Sequence, residues 1–197
     1  MMKLPSAQSV VLLILLFAAF AFSFDRPTPS IKINLDFPGQ HDVSGAYATG
    51  DQDIKAGFSV SGALLINPMN RIKLGAGASF QTNRVPDIYG LEDVDFAFTP
   101  LYGILKFTPV TFENVHPELV GHLGYNFMRG SDLYKENFDL SGWLYGGLGL
   151  GFTFNKRIYV DFMYKVHQGK ANPVEGSSGS EIDIQYSYFT AGFGFYF

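Results

Sequence analysis

Polar and apolar residues alternate along most of the chain beyond residue 30, and nothing limits its fold more. Ile31, Ile33, Leu35 and Phe37 interleave with Lys32, Asn34 and Asp36. Period two marks a strand with two unlike faces. The pattern returns over residues 54–64, 72–81, 118–127, 143–154, 158–167 and 188–197. Residues 94–107 make an eighth extended segment, because Pro100 and the β-branched and aromatic content oppose a helix. There Phe98, Tyr102 and Ile104 share a parity with Lys106, which a bulge would reconcile. Parity also breaks over residues 182–186. No helical periodicity follows the first segment.

Connections between these strands alternate in length. Residues 38–53, 82–93, 128–137 and 168–181 are long; 67–70 and 155–157 are short, and 108–116 is of medium length. Asn67-Pro68 and Asn155 are turn formers, and residues 175–180 form a flexible tip. An up-and-down meander with long loops at one end and short turns at the other matches barrels of the outer membrane, whose short turns are periplasmic. The start of the chain agrees. Lys3 precedes an unbroken apolar run at residues 10–22, with small residues Ala19, Ala21 and Ser23. This is a secretory signal peptide, too short for a spanning helix. Cleavage fits after Ala21 or Ser23; Ser23 is taken, so residues 1–23 are the signal peptide and 24–197 the mature barrel domain.

A soluble lipocalin-like barrel is also an eight-stranded meander, but it buries its apolar face. Two features favour the inverse arrangement. The polar parity is crowded with Gly, Ser, Ala and Thr, which suit a narrow interior. The apolar parity is Phe, Leu, Ile, Val and Tyr almost without charge, which suits lipid. The expected fold is therefore all-β, a closed eight-stranded antiparallel up-and-down transmembrane β-barrel, and closure removes edges that lipid could not satisfy.

The chain finishes with Phe193, Phe195 and Phe197 at alternate positions and Tyr188 upstream. This resembles the C-terminal signal read by the outer-membrane assembly machinery. Over residues 30–197 the pattern resembles the small eight-stranded outer-membrane barrels, the OmpX-like and OmpA transmembrane-domain class. The resemblance implies a bacterial outer-membrane location, with lipid, lipopolysaccharide and the assembly machinery as partners. It also implies no C-terminal peptidoglycan-binding module.

Candidate interior charges are Lys32, Asp36, Lys55, Lys73, Glu118, Asp161 and Lys165, with His122 on the same parity. Mixed signs in a narrow lumen can pair, giving a structural plug; the alternative is a thin water-lined pore for ions or small solutes. Trp143 and Tyr145 either cap this lumen or touch a ligand. His41, His116, His122 and His167 have no metal-ligand spacing, and HExxH is missing. Some small outer-membrane barrels are lipid-modifying enzymes, and His167 and Ser187 could approach on neighbouring strands. Their parities are opposed and no enzyme motif matches, so no enzyme is expected. The glycines at 147, 149 and 151 are spaced by two within a strand, unlike a phosphate loop.

The long loops are acidic. Asp42, Asp51 and Asp53 occupy one, and Asp87, Glu92 and Asp93 against Arg84 another. They could share divalent cations with lipopolysaccharide, but solvation is the default. The absence of Cys excludes disulfides and thiolate sites, and the net charge of −4 gives no sign of nucleic-acid binding. No cofactor is expected. The expectation for function is a structural or surface-interaction role through four extracellular loops, with an extracellular ligand of those loops as a candidate partner.

Overall fold

The computed structural model describes residues 27–44, 49–84, 95–131, 138–174 and 181–197. The signal-peptide segment, Asp87, Glu92, Asp93 and the tip at 175–180 lie outside these residues.

The strands are β1 (Thr28–Ser44), β2 (Thr49–Ile54), β3 (Gly57–Met69), β4 (Ile72–Gln81), β5 (Phe96–Phe107), β6 (Val115–Gly130), β7 (Phe138–Phe154), β8 (Ile158–Pro173) and β9 (Ile182–Tyr196). All pair antiparallel with their neighbours, and β1 pairs with β9 to close the barrel. β2 and β3 are two segments of one stave, since both pair with β1. The result is a closed barrel of eight staves. No described helix is long and apolar enough to cross a membrane.

Within the central part of the barrel the two faces are sharply unlike. Ile33, Phe58, Leu123, Leu148, Phe162 and Phe193 are exposed on the outside. Lys32, Asn34, Ser61, Glu118, Asp161 and Thr190 are buried inside. On β9 the outward apolar run from Phe189 to Phe197 has the length of a tilted crossing strand, about 9–11 residues.

Above this belt, at the long-loop end, the pattern turns over. Ile54, Phe96, Phe98, Met128, Ala171, Ile184 and Tyr186 fill the inside. Asp183 is exposed outside, and the outward Gln168 bonds Gln185 at 3.2 Å. The upper barrel is packed like a water-soluble one. This corrects two expectations. Residues 182–186 keep the backbone parity of the rest of β9; what changes is that apolar side chains take the inner positions. Likewise β5 contains no bulge: Phe98, Tyr102, Ile104 and Lys106 all point inward in unbroken register.

The long connections are also shorter than expected. Gly39–Ser44 pairs with Thr49–Ile54, so most of 38–53 is ladder. β6 runs on to Gly130 and β8 to Pro173, and Arg84 bridges Phe96. Strands that leave the membrane still need partners for their backbone groups, and continued pairing supplies them.

Lys55 is a further correction. It is exposed, while Ile54 is buried inside. Regular pairing skips Lys55 and Ala56 on one stave and Phe37 and Pro38 on the other. This paired break shifts which residues face inward, so the parity of β3 cannot be carried back to Lys55.

Candidate functional site

The lumen is the largest concentration of chemistry in the molecule, and it is built in layers. At the short-turn end, Glu118 accepts from Lys73 Nζ at 2.6 Å and from Lys106 Nζ at 3.3 Å. Lys106 also donates to the Tyr196 hydroxyl at 2.8 Å and lies 4.5 Å from the centre of the Tyr159 ring. These side chains come from β4, β5, β6, β8 and β9, brought together by the inward parity of each.

The middle layer holds Lys32 and Asp161, bonded at 2.6 Å. They lie on β1 and β8, with β9 between them. Gly192 of β9 pairs with Asp161, and a Cβ there would sit 2.3 Å from the Asp161 carboxylate. Glycine at this position leaves the space across which the two charges meet. Beside them His122 Nδ1 lies 3.1 Å from the Tyr145 hydroxyl, and its ring stacks on Tyr102 at 4.5 Å. Asn34, Ser59, Ser61 and Ser79 form a linked set of hydrogen bonds along the facing wall.

The third layer joins Asp36 to Arg84 in a buried ion pair. Asp36 also accepts from Thr190 at 2.8 Å and from Ser59 at 3.3 Å. His167 is fully enclosed between Asn126 and the pair Gln81–Tyr188. Asn126 spends its amide hydrogens on the Leu144 and Gln168 carbonyls, so its oxygen must accept, which assigns the His167 proton to Nδ1. Lys165 is buried with its ammonium 5.7 Å from the centre of the Tyr188 ring. Above these layers lies the apolar cluster of the upper barrel, where His41 stacks on Phe96.

The interior candidates thus lie within the lumen with the exception of Lys55. The alternation of β5 left Lys106 ambiguous, and Arg84 had no strand pattern around it, so neither stood out in the sequence. Of the C-terminal residues, Phe193 and Phe195 are exposed on the outer wall and Phe197 follows them, whereas Tyr188 points into the lumen. Tyr145 is a lumen residue; Trp143, across a register shift, borders an outer depression with Asp42, Gln168 and Lys170.

Two further placements bear on chemistry. His167 faces the lumen, while Ser187, although buried, lies on the opposite parity of β9 and pairs with Val166. Among the described residues no three His, Cys, Asp or Glu side chains converge on a point that could hold a metal.

The space left inside is small. Between Lys32, Ser61, Tyr102, His122 and Asp161 the cavity measures about 20 Å³. That is room for about one water, which needs roughly 10–15 Å³ of such volume. The short-turn mouth is different: it widens into a cavity of about 760 Å³ whose floor is the Glu118 layer.

No family model and no curated protein matches the sequence. Solved structures do match the fold. The outer membrane protein OprG from Pseudomonas aeruginosa superimposes with a TM-score of 0.51 at 15% identity, covering 88% of this chain and 97% of that one. The outer membrane protein AlkL, determined in lipid bilayers, gives 0.54 at 10% identity, covering 88% and 92%. The chain has the fold of the small outer-membrane barrels. Its apolar belt and polar lumen are what that fold requires in a bilayer, so the barrel is an integral outer-membrane protein.

Proposed function

We propose that the barrel works as a closed outer-membrane element whose interactions occur at its external hairpins, with its lumen serving as a structural plug. The observation that carries this reading is the central cavity of about 20 Å³, sealed by ion-paired side chains below an apolar cap. A conducting path would need continuous water past Lys32–Asp161, then past Asp36–Arg84, and then through the cluster around Phe98. An eight-stranded interior is just wide enough for side chains to fill.

The external rim supports a surface role. Asp53, Asp139, Glu181 and Asp183 are exposed there, and Lys170 bridges Glu181 and Asp183. Lipopolysaccharide with its divalent cations, or a cationic extracellular ligand, suits such a rim. Phe193, Phe195 and Phe197 on the outer wall suit recognition by the assembly machinery. An outer-leaflet lipid enzyme is disfavoured because His167 and Ser187 face opposite sides of the wall.

Refolded mature protein, checked by heat-dependent gel migration, should be silent in single-channel recordings across a planar bilayer. Reproducible conductance steps would replace the plug by a small passive pore. Protease applied to intact cells should cut within the long-loop hairpins, and complete protection would remove the surface role.

A further inference from the structure

The short-turn mouth, which the proposed outer-membrane orientation turns to the periplasm, carries chemistry that a plug does not need. Its cavity of about 760 Å³ lies within the size range of small-ligand sites. Arg71, Lys73, Lys156 and His116 line it, and no carboxylate does. The nearest acid beneath, Glu118, is already satisfied by Lys73 and Lys106. Glu113 is exposed in the neighbouring turn but is not part of the lining. Neither Arg71 nor Lys156 has an ion-pair partner among the described residues. The hydroxyls of Thr108 and Thr111 add neutral donors to the same wall.

A second observation concerns Lys156 itself. It is the second of the three residues between β7 and β8, where Asn155 and Lys156 are the central pair of a β-turn closed by the Arg157 N–H donating to the Phe154 carbonyl at 3.0 Å. Asn155 and Lys156 have φ of 48° and 60°. Turns of this kind favour asparagine followed by glycine, because the second position is left-handed. Lysine there is strained, and strain of this kind is retained where the side chain has work to do. What the lysine adds over glycine is an ammonium at the edge of the cavity.

We propose that the periplasmic vestibule binds a phosphate-bearing anion, with Arg71 and Lys156 as its cationic anchors. A phosphate group offers several acceptor oxygens and more than one charge, matching a guanidinium, an ammonium and hydroxyls converging from three turns. The cavity exceeds the volume of the phosphate alone, so the group belongs to a larger molecule. That molecule is either the headgroup of an anionic phospholipid of the inner leaflet or a soluble phosphorylated solute.

The test uses the full mature barrel in phosphatidylcholine nanodiscs, titrated with inorganic pyrophosphate and followed by amide NMR. Saturable shifts are expected at Arg71, Lys156 and Thr108–Thr111. Lys156→Gly should weaken binding about tenfold, the loss of one charge-assisted contact, while raising the melting temperature by relieving the turn. Arg71→Gln should weaken it similarly at unchanged melting temperature. The same shifts on replacing part of the zwitterionic phosphatidylcholine by anionic phosphatidylglycerol in phosphate-free buffer, with no pyrophosphate present, would identify an anionic lipid headgroup as the source. Shifts with pyrophosphate alone would identify a soluble solute. No saturable shift with either, or binding indifferent to both substitutions, overturns the proposal. None of these outcomes depends on whether the lumen conducts.

Discussion

Glutamine in place of Glu118 will cost the barrel about 3–5 kcal/mol of folding stability. The carboxylate is buried and shared by two ammonium groups, Lys73 at 2.6 Å and Lys106 at 3.3 Å. An amide of the same size keeps the packing but leaves both cations without a counter-charge. Lys73 is a quarter exposed and can turn toward water in the vestibule. Lys106 is held between Tyr159 and Tyr196 and has no such route. Adding Lys106→Met to the Glu118→Gln variant should therefore recover most of the loss, because it removes the cation that cannot escape. Urea unfolding of the three proteins in one lipid, with the midpoint and slope fitted together, measures this. A loss below about 1 kcal/mol would mean that water screens the cluster, and the pore reading would gain by it.

The second large effect lies on the opposite face of the wall. Leu148 is 72% exposed and sits midway along the outward apolar run of β7. Leu148→Arg should destabilise the folded barrel in bilayers by about 2–4 kcal/mol, the cost of an arginine at the midplane. Gln168→Arg, also outward but on the upper part of β8, should cost about 0–1 kcal/mol, as near an interface. The contrast matters more than either value. Equal losses would mean that lipid does not end where the side chains change character.

Much of this architecture was legible from alternation alone. The small residues of one parity and the aromatic and aliphatic residues of the other identified inside and outside for the whole central belt. Lys32, Asp36, Lys73, Glu118, Asp161 and Lys165 could be placed on the inner parity without knowing any pairing. Their partners could not. Lys32 reaches Asp161 across an intervening strand, and the Gly192 gap that permits it is visible only once β1 closes on β9.

The failures have separate causes. Parity was read as if one solvent surrounded the barrel along its whole height. Residues 182–186 and Phe98 then looked like faults in the pattern, although they follow the regular alternation of their strands. Lys55 fell on the wrong side because the paired break around it leaves no mark in composition. Arg84 belongs to a single bridge rather than a strand, so no periodicity announced it.

That reversal of faces also fixes the barrel's depth. A cylinder with one uniform belt could bob along the membrane normal at modest cost. Here an inward slip would drag Gln168, Gln185 and Asp42 into hydrocarbon, while an outward slip would lift Phe189 and Tyr164 into water. The two penalties oppose each other like the load lines of a hull. The hairpins therefore stand at a set height above the bilayer, and whatever meets them meets them there.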